Sequence, residues 1–107
     1  MLKQVFVKEN SWLAKCGAKR LKAASIALTI GNTIYLHNAN KEQLIQNTTW
    51  LCHELVHVQQ YEKHGVIKFL VCYVYEWIIK GYYNNKFEVE ARARENDYSI
   101  LLDYVVA

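Results

Sequence analysis

The 107-residue sequence lacks the tracts that mark disordered or multidomain chains. It contains no low-complexity stretch, internal repeat, linker or run of like charges. Apolar residues make up 52% and charged residues 21% of the chain, a balance typical of folded globular proteins. Because a chain of this length supports one hydrophobic core, we predict a single domain over residues 1–107, and any functional site must share that core.

A concentrated basic patch is also missing. The formal net charge is +3, and the lysines and arginines are spread along the chain with acidic residues between them. Nucleic-acid-binding domains usually cluster their basic residues on one face or in one segment. We therefore expect no nucleic-acid partner.

The chain has neither a CxxC pair nor a recognisable secretory signal. Its three cysteines are Cys16, Cys52 and Cys72, and the N-terminal MLKQVFVKENSW contains no uninterrupted apolar segment of the kind found in signal peptides. These features predict reduced thiols, used as small buried apolar residues, in a cytoplasmic protein.

No apolar run is long enough to predict a membrane span. The most apolar segment, VIKFLVCYVYEWIIK at Val66–Lys80, contains three charged residues and is shorter than the roughly 17–25 apolar residues that a span needs. We interpret it as the central buried helix of the domain. Its tyrosine, tryptophan and lysine content would also suit a membrane surface, which we keep as a lesser alternative.

Further helices are predicted before and after a β-hairpin. Asn10 and Ser11 suit the cap of a helix from Trp12 to about Lys22. Another helix runs from about Gln46 to His64 and ends at Gly65, and a last one from Lys86 to about Tyr104. In the first of these, the residues available for burial are Trp12, Leu13, Cys16 and Leu21.

The hairpin is the strongest strand signal. Two β-favouring runs, Ser25–Ile30 and Thr33–Leu36, flank the turn pair Gly31-Asn32. Because a lone hairpin is only marginally stable, it must pack on helices or gain a third strand. The predicted fold class is α+β, mostly helical, with a small antiparallel hairpin or sheet packed on the helix that ends at His64.

The clearest functional signal is the pentad HELVH at residues 53–57. Histidines four residues apart lie on one helix face, so the imidazoles of His53 and His57 can reach one metal ion. Glu54 lies between them in helical angle, where a carboxylate can act as general base on a water molecule. Leu51, Leu55 and Val58 fall on the opposite face, as expected for a helix with an apolar back.

The pentad needs a third ligand to be specific, since on the order of 1% of random shuffles of such a composition would contain it. His64 lies about 10 Å along the helix from His57, too far to share an ion. The later segment FEVEARARE offers Glu88 and Glu90, which are about 200° apart on a helix, so only one can face the metal. Spacing alone does not choose between them.

HELVHVQQ followed by FEVEARARE resembles the gluzincin metallopeptidases, in which the glutamate that opens an ExxA segment completes the two histidines of HExxH. The wider order of SIALTIGNTIYLH, HELVHVQQYEKHG and GYYNNKFEVEARA, from roughly Ala23 to Asn96, is similar to small bacterial domains related to the HExxH-bearing DUF4157 group. The resemblance implies a minimal zincin with Zn²⁺ ligands His53, His57 and Glu88. It also implies Glu54 as the catalytic base and pairing of an extended peptide with a hairpin edge strand, Thr33–Leu36.

One position departs from the gluzincin pattern. Many gluzincins have an aspartate that supports a ligand histidine, but this chain has Arg92, which offers no hydrogen-bond acceptor. Glu88, Arg92 and Glu95 fall on one stripe of a helix. Our hypothesis is that Arg92 bridges the two glutamates while Glu95 supports a histidine; a solvent-facing ion pair is the alternative.

The remaining polar residues are less specific. A tyrosine or histidine commonly stabilises the oxyanion in such enzymes, and Tyr61, Tyr82 and Tyr83 are candidates between which the sequence does not choose. Gln59 and Gln60 are expected to form hydrogen bonds at the helix surface.

The sequence thus predicts a zinc-dependent metallopeptidase that acts on a peptide or protein substrate. The alternative is a zinc-binding structural or interaction module without turnover, whose metal ties the middle helix to the last one. The small size of the domain favours this alternative or an enzyme that depends on a partner. Glu54 favours an enzyme, because a structural site needs ligands but no base. A third hypothesis is a metal-free helical interaction protein at a membrane surface.

Overall fold

The computed structural model of the chain describes residues 2–21 and 26–107, apart from the side chains of Arg20 and Leu21. Predicted boundaries at Lys22, Ala23 and Ser25 lie outside the described residues. The elements, in chain order, are β1 (Lys3–Lys8), α1 (Trp12–Leu21), β2 (Ile26–Ile30), β3 (Thr33–His37), α2 (Lys41–Gln46), α3 (Thr48–His64), α4 (Val66–Asn84), α5 (Lys86–Arg94), a 3₁₀ helix (Tyr98–Asp103) and β4 (Tyr104–Val106). The predicted α+β, mostly helical class is confirmed.

The strands form a mixed sheet in the order β2-β3-β1-β4. The predicted hairpin is present, with β2 antiparallel to β3 and Leu28 opposite Tyr35. β1, which the sequence analysis missed, is parallel to both β3 and β4. Because β1 covers one side of β3, the prediction that Thr33–Leu36 is an edge is wrong, and β2 is the edge strand of the hairpin instead.

The core lies between this sheet and the apolar face of α3. Val5, Ile34 and Leu36 from the sheet pack with Leu51 and Leu55, and all five are buried. Val58 belongs to the same cluster, so the predicted apolar back of α3 is confirmed. Truncating a fully buried leucine such as Leu55 to alanine typically costs about 2–5 kcal/mol, which indicates how strongly this core holds the HELVH helix in place.

α1 packs on the hairpin through alanines rather than through its larger side chains. Ala14 and Ala18 are buried, and their small size allows the helix backbone to lie close to the sheet. Trp12 is 72% exposed, and Leu13 and Cys16 are also exposed. The predicted burial of these three residues is therefore wrong.

α4 follows α3 through Gly65 and is not the central buried helix that its composition predicted. Gly65 has φ 84°, and Gly81, with φ 79°, interrupts the helical backbone one residue after Lys80. Phe69 and Glu76 are buried, but Ile67 is 76% exposed. One side of α4 packs against α3 and α5, whereas Val71 and Ile78 on the opposite side are exposed like Ile67. No helix among the described residues is long and apolar enough to cross a membrane.

The last helix is shorter than predicted. α5 ends at Arg94, not near Tyr104, and the chain continues into the 3₁₀ helix and β4. The Asp97 side chain accepts a hydrogen bond from the backbone N–H of Ser99 at 3.2 Å, which caps the 3₁₀ helix. Ile100 and Tyr104 then enter the core, so burial of these two side chains favours the turn over a continued helix.

Candidate metal centre

Three side chains from two helices converge at the end of the core. Nε2 of His53 lies 3.0 Å and Nε2 of His57 lies 3.2 Å from the same oxygen, Oε1 of Glu88. One potential ligand atom from each of the three residues lies within 4.8 Å of the other two. The structure thus brings together the three residues that the resemblance implied, two from α3 and one from α5.

Gln60 fixes the ring orientation of His57. Its amide nitrogen donates to the backbone oxygen of Phe87 at 3.1 Å and to Oε1 of Glu90 at 2.6 Å. Both partners only accept hydrogen bonds, so the amide oxygen of Gln60 must be the atom 2.8 Å from Nδ1 of His57. Nδ1 therefore carries the proton in the neutral ring, and the Nε2 lone pair is directed at the ligand cluster.

Glu95 does the same for His53. Nδ1 of His53 lies 2.8 Å from Oε2 of Glu95, and an ionised carboxylate can only accept, so Nδ1 donates. The supporting role predicted for Glu95 thus agrees with the geometry, although Glu95 is the residue directly after α5 and not within it.

The bridging role predicted for Arg92 is wrong. Its guanidinium donates to the backbone oxygen of Tyr83 and packs over the Tyr83 ring, 3.9 Å from the centroid. Within the described part of the chain, Arg92 forms no ion pair with Glu88 or Glu95. Stacking on an aromatic face competes well with an ion pair for a partly exposed guanidinium.

The choice between Glu88 and Glu90 follows from their positions on α5. Glu88 is only 3% exposed, and its second oxygen accepts a hydrogen bond from the Tyr73 hydroxyl at 2.6 Å. Glu90 is exposed and contacts Gln60 and Arg94 instead. Glu88 therefore faces the histidines and Glu90 does not.

The start of α5 is anchored so that Glu88 falls in its first turn. The buried Asn85 side chain accepts from the backbone N–H of Phe87 at 2.9 Å and donates to the backbone oxygen of Tyr73 at 3.0 Å. Glu76 accepts from the backbone N–H of Lys86 at 3.0 Å. These contacts tie α5 to α4 at the point where the ligand helix begins, and the sequence analysis had not identified them.

Glu54 lies beside this cluster and is also buried. Its Oε1 accepts a hydrogen bond at 2.8 Å from the hydroxyl of Thr29, on the edge strand β2. Among the described residues, its Oε2 has no hydrogen-bond partner, and no fully buried side-chain oxygen or nitrogen lacks one. Oε2 of Glu54 is therefore not enclosed, and Glu54 borders an open space beside His57.

That space is a cleft of about 680 Å³ between the hairpin edge, α1 and α4. Glu54, His57 and Glu88 lie on its wall, together with Thr29 and other residues of β2. The other wall comes mainly from aromatic and aliphatic side chains of α4: Phe69, Leu70, Tyr73, Val74 and Trp77. The cluster is thus reached through an apolar cleft.

The three tyrosine candidates occupy different places. Tyr82 lines the cleft near Glu88, and burial is the main cause that raises the pKa of its hydroxyl, so it stays protonated. Tyr61 also lines the cleft but is buried and packs on Phe69. Tyr83 is 70% exposed and stacks with Arg92. His64, excluded as a ligand, packs against Phe69 and Phe87.

The electrostatics of the cluster suit a cation. Burial alone would raise the pKa of Glu88, but hydrogen bonds from both histidines hold it well below its usual range. Burial would lower the pKa of His53, yet the hydrogen bond to Glu88 and the charges of neighbouring carboxylates raise it to about 9. Burial raises the pKa of Glu54. Without a metal the carboxylates thus retain protons on the histidines, and a bound cation would replace that positive charge.

The donor set fits a divalent metal. Two imidazole nitrogens and one carboxylate oxygen are the protein ligands of many catalytic zinc sites, where a fourth position stays open. Both imidazoles have a hydrogen-bonded Nδ1 and a converging Nε2, as expected for metal-binding histidines. The His53, His57 and Glu88 group could therefore hold a metal ion.

Comparison with known proteins shows the family to which the chain belongs. No curated protein and no solved structure gives a significant match. Residues 2–65 match the eCIS core domain, the core domain of extracellular contractile injection systems, which is related to DUF4157. The match includes His53, Glu54 and His57 and ends before Glu88. Because it covers more than half of the chain, this protein belongs to the eCIS core domain family.

Proposed function

We propose that this chain is a zinc metallopeptidase that hydrolyses peptide bonds, with His53, His57 and Glu88 as ligands and Glu54 as general base. The observation that carries the proposal is the convergence of both Nε2 atoms on Oε1 of Glu88, on the wall of a cleft that Glu54 also lines. Zinc, when bound, supplies a Lewis acid for the scissile carbonyl and lowers the pKa of a water molecule.

Glu54 is placed to move a proton. Thr29 holds one of its carboxylate oxygens at 2.8 Å, so the other oxygen is fixed in direction toward the cleft. A positioned carboxylate can take a proton from the attacking water and pass it to the leaving amine. Thr29 thereby acts as a positioning residue, since its hydroxyl limits the rotation of the base.

The substrate would lie along β2, which replaces Thr33–Leu36 as the peptide-pairing strand. β2 pairs with β3 on one side, and the cleft lies along its length from Ile26 to Ile30. An extended peptide can add to such an edge by main-chain hydrogen bonds. The apolar wall from α4 would then contact the peptide side chains, and Tyr82, which lines the cleft next to Glu88, is our choice for stabilising the oxyanion.

The family name supports a proposal for the biological setting of this activity. The family name refers to extracellular contractile injection systems. We infer that the peptidase works with such a system and that its substrate is a protein it meets there.

A structural zinc module is the second candidate. Its support is that the ligands come from two helices, His53 and His57 from α3 and Glu88 from α5, so that a metal would cross-link them and stabilise a small core. The module requires no base, however, and offers no reason for Glu54 to be held in the cleft by Thr29.

A single substitution distinguishes the two candidates. Glu54→Gln keeps the shape of the side chain and removes the base, so kcat/KM on unstructured peptides should fall about 10²–10⁴-fold while bound zinc is unchanged. Glu42→Gln, on α2 outside the cleft, is the matched control and should keep full activity. A wild-type chain that holds zinc but cleaves no peptide in a diverse library would contradict the peptidase and favour the structural module.

A further inference from the structure

α4 carries a ridge of exposed apolar side chains on the side that faces away from the core. We define the α4 ridge as Ile67, Val71, Tyr75, Ile78 and Ile79, all of which are exposed and none of which lines the cleft. Their spacing of three and four residues places them on one stripe of the helix. Ile67 and Ile78 are 76% and 79% exposed. A contiguous apolar surface of this kind on a folded domain marks an interaction site.

The charges of α4 are distributed unevenly around this ridge. Lys68 is exposed, and at about 100° per residue it lies at the edge of the ridge, between Tyr75 and Ile79. The whole of α4 is described, and its one carboxylate, Glu76, is buried. Glu76 lies about 180° from Ile67 in helical angle and pairs with Lys80 at 3.3 Å.

The two ends of α4 add further positive charge. Lys63 lies two residues before Gly65 at the N-terminal end, and Lys86 begins α5 at the other end; both are exposed. Because Glu76, which faces away from the ridge, accepts from the backbone N–H of Lys86, Lys86 lies toward the far side of α4. Lys68 is thus the lysine of α4 that borders the ridge, and α4 has no exposed carboxylate to balance its charge.

We infer that the α4 ridge docks the domain on an anionic phospholipid membrane. An in-plane helix binds such a surface with its apolar side in the boundary between headgroups and acyl chains and with lysines among the headgroups. Tyr75 lies at the edge of the ridge, where an amphipathic ring suits the interface. Phe69 and Glu76 hold the opposite side of α4 in the domain, so the ridge is preformed and requires no refolding.

A second copy of this chain is a poorer occupant. If two ridges packed face to face, Lys68 of each α4 would enter an interface to which α4 contributes no free carboxylate, because Glu76 lies on the far side and is paired. Burying an unpaired charge in this way is unfavourable, whereas anionic headgroups supply a counter-charge at every lysine.

Vesicle flotation tests the inference directly. The full-length chain should float with vesicles of phosphatidylcholine containing about 30% phosphatidylserine, should bind less as salt increases, and should bind poorly to phosphatidylcholine alone. Ile67→Ser combined with Ile78→Ser should abolish flotation, and Lys68→Glu should weaken it at least about fivefold. Leu102→Ser, an equally exposed position on the 3₁₀ helix outside the ridge, should leave flotation unchanged.

Three results would overturn the inference. The first is that the wild-type protein does not bind the vesicles, the second that it binds neutral and anionic vesicles equally, and the third that the double variant binds as well as the wild type. Separately, a dimer that forms without lipid and that the double substitution disrupts would assign the ridge to a second copy of the chain. Circular dichroism should show wild-type folding for every variant, since exposed substitutions usually change stability by less than about 0.5 kcal/mol. Flotation needs neither metal nor Glu54, so its outcome is independent of the proposed peptidase activity.

Discussion

At the residue scale, each histidine of the candidate metal centre depends on the group that holds its Nδ1. Gln60 is adjacent in sequence to Gln59, yet only Gln60 is buried and bonded to His57. Losing such a support typically costs a metal site about 10–100-fold in affinity. Gln60→Ala should therefore weaken zinc binding by about that factor, measured by competition with a chelating dye. Gln59→Ala is the matched control, and equal effects of the two substitutions would contradict the assigned role.

Glu95 and Arg92 allow a second comparison between a residue that supports a histidine and a nearby residue that does not. Glu95 accepts from His53 at 2.8 Å, whereas Arg92 contacts Tyr83. We expect Glu95→Ala to lower zinc affinity about 10–100-fold and Arg92→Ala to leave it within about threefold, since most partly exposed positions have small effects. A larger loss of zinc affinity in Arg92→Ala than in Glu95→Ala would contradict the supporting role assigned to Glu95.

The sequence predicted the candidate metal ligands better than the residues that form hydrogen bonds to them. The HELVH spacing places His53 and His57 on one face of any helix, and resemblance to gluzincins selected Glu88. The role of Gln60 was missed because it needs acceptors from α5, at Phe87 and Glu90, which local periodicity cannot show. The one signal in the sequence was the spacing: Gln60 follows His57 by three residues, which places both side chains on the same face of a helix.

At the element scale, substitution of two glycines by alanine should change the free energy of unfolding in opposite directions, because their backbone conformations differ. Gly81 has φ 79° and ψ 173°, a region that is essentially restricted to glycine and costs other residues about 1–3 kcal/mol, so Gly81→Ala should lower the free energy of unfolding by about that amount. Gly17 is within α1, and an added Cβ would lie 3.8 Å from Cδ1 of Ile26, an ordinary contact. Gly17→Ala should therefore raise the free energy of unfolding by about 0.5–1 kcal/mol.

Urea denaturation of both variants beside the wild type measures these changes. The same sign for both substitutions would contradict the assigned backbone conformations. Gly81 is informative because it kinks α4 and so sets the direction of the last residues of α4 toward Asn85, which caps α5.

The elements that sequence reasoning missed depend on distant contacts. The hairpin was predictable because Gly31-Asn32 joins its strands locally. β1 and β4 instead form parallel pairs with strands far along the chain, such as Lys3 with Tyr104, so no local turn reveals them. The exposure of α4 was missed for a related reason, since apolar side chains on most sides of a helix indicate burial only if another element covers them.

At the scale of the whole molecule, the candidate metal centre is built from residues inside and outside the family match. The family match covers β1 to the end of α3 and includes His53, Glu54 and His57. Glu88, Tyr73 and Glu95 lie beyond it, on or next to α4 and α5. Hydrogen bonds across this boundary, such as that between His53 and Glu95, complete the site. The domain therefore needs both parts to hold a metal.

Elemental analysis of the full-length protein, purified without added metal, tests the central claim most directly. We expect about one zinc per chain, as for a single three-ligand site, and loss of that zinc in His57→Ala and Glu88→Ala, while Glu42→Ala, on α2 outside the cleft, retains it. Less than about 0.2 zinc per chain that added Zn²⁺ does not restore would contradict the account. So would full occupancy in the Glu88→Ala variant, because the convergence of both histidines on that carboxylate would then have no bearing on metal binding.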